Sequence, residues 1–293
     1  MKILIIAFAT LAFGSVSAQE YAFKVLVNKG QNEIKAGNDW LPIKVGASLK
    51  SADELKLSQN GYLGLVHVTG KPLEVKEAGQ HKVVDLAAKI KDGTSVLNKY
   101  TDFILSSANK TGNRLTATGA VHRGPNEIKV FLPKPQQAIV FNDKISVAWA
   151  KDPKTKIYVV RLNSMFGDEL DKFEVTDTTV VIDLGKPNLV NEDNILVEVS
   201  SKSDKERVSE SFMLKKLSTA DKSRIKNSLA NIASQTKEQT ALNNLFLASF
   251  FEENKLLIDA ATAYQTAIKL APNVPYFQQA FNDFLARNGL NTK

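Results

Sequence analysis

ALNNLFLASFFEENKLLIDAATAYQTAIKLAPN, residues 241–273, decides the architecture of the last third of this chain. It reads as two helices, 239–253 and 255–270, joined by a tight turn. Ala248, Ala260 and Ala267 fall where two antiparallel helices approach closely, while Leu247, Phe251 and Tyr264 fill the space between them. Pro272 stops the second helix, because proline cannot continue the backbone ladder. A hairpin of this kind cannot bury its own apolar face, so it must stack on other helices or on a partner. The implied role is holding other proteins rather than performing chemistry.

Helices flank it on both sides. Ser218 and Asp221 stand at capping-box spacing ahead of a helix over 220–233, whose Ile225, Leu229 and Ile232 recur at helical spacing. Pro275 opens a last helix over 275–287, and Asn288-Gly289 ends it as a C-cap does. Phe277, Phe281 and Phe284 on that helix form an aromatic stripe, read as core packing in preference to an exposed docking face. Asn244, Leu247, Ala248, Phe251, Ala260, Tyr264, Ala267 and Pro272 fall at the signature spacing of a tetratricopeptide repeat, and the unit resembles that family. Asn244 stands where the family carries a large aromatic. In peptide-binding members, Lys and Asn on the first helix clamp a partner's terminal carboxylate. Leu245 and Ser249 occupy those places here, which implies an apolar groove or plain structural packing. The residues expected to meet a partner are Leu245, Ser249, Glu252, Phe277 and Phe281.

Upstream, Pro133-Lys134-Pro135 marks a domain boundary, since two prolines enforce extended backbone. Short strands follow over 137–141, 144–149, 156–162, 172–175, 178–184, 194–200 and 210–214, with polar turns between them. That spacing predicts a β-sandwich over 135–217. Trp149 in ISVAWA and Tyr158 in IYVVRL resemble the core tryptophan and following aromatic strand of immunoglobulin/fibronectin type III-like domains.

The first part reads as strands at 21–27, 40–45, 54–57, 62–68, 73–75 and 81–84, punctuated by glycines, with a helical turn over 84–91 closing the unit. This pattern predicts a small β-barrel or β-clip. WLPIKVG at 40–46, LKSADEL at 49–55 and NGYLGLVHVTGKPLEV at 60–75 resemble the FecR-like periplasmic domain. The matching positions are Trp40, Gly46, Leu49, Asp53, Leu55, Gly70, Leu73 and Val75. The chain lacks that family's cytoplasmic segment and membrane helix, so the resemblance implies the domain fold over 19–91 and not the signalling role. Residues 92–134 are less regular and basic. Lys110, Arg114, His122 and Arg123 there suit a phosphate or a glycan acid, although a connecting segment with edge strands is the preferred reading.

Residues 1–18 read as a signal peptide. Lys2 precedes an apolar run over 3–13, and Val16-Ser17-Ala18 before Gln19 fits a small-x-small cleavage site. The run is too short for a membrane span, which needs about 20 residues. With no cysteine in the chain there is no lipidation site, no disulfide and no thiol chemistry. An exported, periplasmic protein follows, with secretion or cell-surface association as alternatives and no transmembrane segment after cleavage. The 38 basic and 31 acidic residues are mixed along the chain, and this interspersed charge with export speaks against nucleic acid. The three histidines, His67, His81 and His122, lack carboxylates at metal-ligand spacing. No G-x-S-x-G, P-loop or dinucleotide fingerprint occurs. Glu252-Glu253 and Asp168-Glu169 are neighbours that face different ways. The sequence therefore predicts a mainly β multidomain protein with an α-helical C-terminal part over 218–293. It would be a non-catalytic envelope scaffold without cofactor or metal. Peptidoglycan or another glycan as the ligand, and a hydrolase without a recognisable motif, are the alternatives.

Overall fold

The structure, a computed structural model, describes residues 21–90, 93, 95–109, 127–134, 138–233 and 238–290. The expected leader at 1–18 and the basic residues Lys110, Arg114, His122 and Arg123 lie outside them. The protein is mainly antiparallel β-sheet followed by a helical region, and among the described residues no helix is long and apolar enough to cross a membrane.

The first module holds strands β1 (Phe23–Lys29), β2 (Glu33–Ala36), β3 (Asp39–Pro42), β4 (Ser48–Leu49), β5 (Glu54–Leu57), β6 (Tyr62–His67), β7 (Pro72–Val75) and β8 (Gly79–Lys82), then helix α1 (Val83–Ala88). These strands do not close into the barrel that the glycine spacing suggested. They form two open four-stranded sheets, β4-β1-β6-β7 and β3-β2-β5-β8. The physical reason lies in β1 and β6, whose side chains are buried on both faces. Phe23, Val25, Leu63 and Leu65 join Leu55, Leu57 and Val83 in a core between the two sheets. Leu26, Val27, Tyr62 and Val66 point the other way and join the helices. A bulge makes this possible: Val25 pairs with Leu65 and Val27 with Gly64, leaving Leu26 extra. The extra residue reverses the alternation, so Val27 faces the helices instead of the first core.

Helix α2 (Asn98–Asn109) runs through the segment expected to be irregular. Its Leu97 flank, Tyr100 and Ile104 belong to the helical core. Residues 128–132, assigned by sequence to the same connector, lay Ile128, Val130 and Leu132 into the core of the second module, where Val130 bridges Trp149.

That second module pairs β12 (Glu169–Val175), β11 (Tyr158–Asn163), β14 (Asn194–Ser201), β15 (Phe212–Lys216) and β9 (Ile139–Val140) in one sheet, and β10 (Lys144–Ala148) with β13 (Thr179–Asp183) in another. Both contribute to one core, in which Trp149 meets Tyr158 edge-on at 5.3 Å between ring centres.

The helical region comprises α3 (Thr219–Ala233), α4 (Ala241–Glu253), α5 (Leu257–Leu270) and α6 (Pro275–Arg287). Ser218 Oγ accepts the Asp221 N–H at 3.2 Å and donates to its carboxylate at 2.8 Å, so the expected capping pair forms. Gly289, at φ 66°, lets the chain turn off α6 while the Leu290 N–H reaches the Leu285 carbonyl at 2.8 Å. Helix α4 is buried nearly all round, as its sequence, apolar on every face, requires.

The cause of that burial is position, for the α4–α5 hairpin is wedged between the two β-modules. On one side Gly64 gives way to α4: a Cβ there would lie 3.0 Å from Val27 Cβ and 3.3 Å from Leu242 Cδ1. Glu74 on β7 accepts the Leu242 N–H at 2.7 Å and the Tyr62 hydroxyl at 2.7 Å, placing a carboxylate at the positive end of α4. On the other side Asp259, in the first turn of α5, accepts the backbone N–H groups of Phe141 and Asn142 at 2.9 and 2.8 Å and the Asn142 side-chain amide at 2.7 Å. Thr262 accepts the Ser146 N–H of β10 at 2.9 Å, and Ile258 enters the core of the second module.

Candidate functional site

Where α2, α4 and α6 meet the 43–46 loop of the first module, they leave a cavity of about 240 Å³ open to solvent on one side. Leu245 and Ser249 of α4 form its floor, Phe103 and Ile104 of α2 one wall, Tyr276 and Ala280 of α6 another, and Val45 part of the rim. Ser249 donates to its own helix at the Leu245 carbonyl, 3.0 Å away, so its hydroxyl is satisfied and the floor behaves as apolar surface.

One end of the cavity is charged. Glu252 accepts from Arg287 Nε at 3.1 Å and Nη2 at 3.0 Å, from Asn288 Nδ2 at 2.9 Å, and from the Tyr264 hydroxyl at 3.2 Å. The guanidinium also lies over the Phe103 ring at 5.5 Å, a cation–π arrangement. Burial, then the neighbouring Glu252 charge, push the Tyr264 phenol well above its ordinary value. Burial raises the Tyr276 phenol in the same way, helped by the charge of Asp283. Asp283 is itself raised by burial, with Arg287 pulling against it. Both phenols are therefore neutral hydrogen-bonding groups. What the arrangement does chemically is to offer an aromatic and aliphatic slot with an oriented ion pair at its end.

The residues expected at a partner surface are thus divided. Leu245 and Ser249 line the cavity. Glu252 points inward, its carboxylate buried and committed to Arg287. Phe277 and Phe281 face inward: Phe277 meets Tyr62 edge-on at 5.9 Å, and Phe281 stacks with Phe284 at 6.2 Å. Their spacing placed them on one helical face, and that face is core. Glu252 and Glu253 diverge as neighbouring helical residues do, with Glu253 pairing outward to Lys99 at 3.3 Å.

Sequence reasoning did not single out Tyr276, Ala280, Asp283 and Arg287. They recur at intervals of four, three and four along α6, a second helical stripe beside the phenylalanines. Phe103 and Ile104 were hidden because α2 was not recognised as a helix. Of the histidines, His67 Nδ1 contacts Thr69 Oγ1 at 2.8 Å and His81 Nε2 the Glu77 carbonyl at 2.8 Å, while His122 lies outside the described residues. Among the described residues no group of three or more His, Cys, Asp or Glu is arranged to hold a metal. No family model and no curated protein matches this chain.

Proposed function

We propose that this protein is a non-catalytic adaptor of the bacterial cell envelope, exported to the periplasm, whose cavity seats an apolar side chain of a partner polypeptide. In this reading the first module is FecR-like, the second immunoglobulin/fibronectin type III-like, and the α4–α5 hairpin a single tetratricopeptide-like repeat. Support for the first comes from Leu49, Leu55 and Val75 in its core, Gly46 and Gly70 each at φ 85°, and Asp53 accepting the Lys50 N–H at 2.7 Å. For the second it comes from the buried Trp149–Tyr158 pair and the parallel pairing of β9 with β15. For the repeat it comes from Ala248, Ala260 and Ala267, all fully buried where the helices cross.

One observation carries the functional reading. The cavity has an aromatic and aliphatic lining with an ion pair at one end, and Leu245 and Ser249 stand in it at the places from which peptide-binding repeats contact their ligands. Mostly apolar concave sites with a few oriented polar groups bind by burying an anchor side chain. The test is affinity purification from native envelopes of the wild-type chain and of Ala280→Trp, which fills the slot. The adaptor reading expects polypeptides that copurify with wild type and are lost from the variant. Identical copurifying sets overturn it.

A further inference from the structure

Phe166 is the most exposed large apolar side chain among the described residues, at 95%, and its neighbour Met165 is exposed at 50%. They form the tip of the β11–β12 hairpin. The tip is held without their side chains. Ser164 Oγ accepts the N–H groups of Phe166 and Asp168, each at 3.1 Å, and donates to the Asp168 carboxylate at 3.2 Å. The Ser164 N–H reaches the Asp168 carbonyl at 2.8 Å, and Gly167 supplies the φ of 93° that the turn needs. Two large apolar groups are thus fixed in water on a rigid, convex turn, a pre-paid geometry for insertion into a concave site.

Resting on the adaptor reading of the cavity, we infer that its partner is a second copy of this chain, which inserts Phe166, with Met165 against the rim. Three features match. A cavity of about 150 Å³ lined by apolar side chains takes up benzene, so one of about 240 Å³ holds a benzyl group. Phe103, Tyr264 and Tyr276 in the lining give an incoming ring edge-on and offset partners. At the mouth the charges are opposite in sign: Asp168 and Glu169 flank the knob and are exposed, and Lys44 is exposed beside Val45 at the rim. Arg287 in the wall is already paired with Glu252 beside Asp283 and adds no free charge. Knob and slot are on different parts of the molecule, the second module against the helical region. The contact therefore either closes with two-fold symmetry as a reciprocal, isologous dimer or runs head to tail as a heterologous one.

Sedimentation equilibrium of the mature chain, carried into the millimolar range because a single-anchor interface is weak, tests this. Wild type should show a weight-average mass rising above the monomer with concentration. Phe166→Ser and Ala280→Trp should each stay monomeric at every concentration. Their mixture should form a dimer and nothing larger, because one supplies the open slot and the other the knob. Circular dichroism on both variants checks that each is folded. The Phe166 side chain, exposed to solvent, holds no part of its turn, and the backbone N–H that does is kept in the variant, so Phe166→Ser tests the inference even if Ala280→Trp fails to fold. A wild type that stays monomeric throughout, or a Phe166→Ser chain that associates as wild type does, overturns the inference. A monomeric wild type that still copurifies other polypeptides in an Ala280-dependent way overturns the self-association alone and leaves the adaptor reading standing.

Discussion

Arg287, at the last turn of α6, closes on Glu252 of α4 through two N–H···O contacts of 3.1 and 3.0 Å, tying the C-terminal helix across the hairpin that precedes it. The pair stands at the end of the cavity, so the same contact that fixes α6 also fixes the spacing of Tyr276 and Ala280 opposite Leu245. Removing one partner strands the other charge in a mostly buried site, which costs about 3 kcal/mol. Glu252→Ala and Arg287→Ala should each lower stability by that order in urea unfolding, and the double variant should cost less than the sum of the two.

Glu74 fastens the first module to α4. Glu74→Ala leaves the Leu242 N–H and the Tyr62 hydroxyl without their acceptor and should cost about 2–3 kcal/mol. Glu74→Gln keeps an acceptor but removes the negative charge from the helix N-terminus, and should cost only about 1 kcal/mol. The ratio of the two losses, measured by urea unfolding, separates hydrogen bonding from charge. Equal losses would contradict this account of the joint.

Gly64 is where strand and helix come closest. In Gly64→Ala the new methyl meets Val27 and Leu242 at 3.0 and 3.3 Å, and overpacking there should cost about 1–2 kcal/mol. Combining it with Val27→Ala should recover part of that loss, seen as a coupling of about 0.5 kcal/mol or more in a double-mutant cycle.

Burial at the joint with the second module pushes the Asp259 carboxyl up to about 6 from its ordinary 3.8, against the pull of the N–H donors from Phe141 and Asn142. The folded state therefore holds the proton more tightly than the unfolded chain. The resulting stabilisation is fully present below pH 3.8 and is lost as the pH rises through 6, with a span of about 3 kcal/mol. Asp259→Asn should flatten this part of the stability profile between pH 4 and 7, as read from urea midpoints. An unchanged slope would show that the donors, rather than burial, set the ionisation of this group.

Much of the secondary structure was legible because it is encoded locally. The alanine and aromatic spacing of 241–273, the Ser218 cap and the Pro275 and Gly289 ends are properties of a few adjacent residues. Helix α2 was not legible, since NKYTDFILSSAN is largely polar and its burial rests on just a few side chains, Tyr100 and Ile104 among them. Strand β2 was missed for a related reason: in Glu33–Ala36 no residue is fully buried, so no alternation marks it. The position of the helical hairpin between the two β-modules was out of reach altogether. It depends on pairs such as Glu74 with Leu242 and Asn142 with Asp259, separated by 168 and 117 residues, which no local periodicity records. The apolar faces of α4 require a cover without naming it, and the small residue Gly64, in a strand where glycine has several other readings, does not name it either.

The central claim is that the cavity between α2, α4 and α6 is where this protein meets a partner polypeptide. A photo-crosslinking amino acid at Gln279, exposed on α6 beside the slot, tests it directly in intact cell envelopes. The account predicts adducts whose mass spectra map to a polypeptide, this chain's own hairpin tip at Phe166 included, and which disappear when Ala280→Trp is added. Adducts only to glycan, or polypeptide adducts that persist with the slot filled, would contradict it.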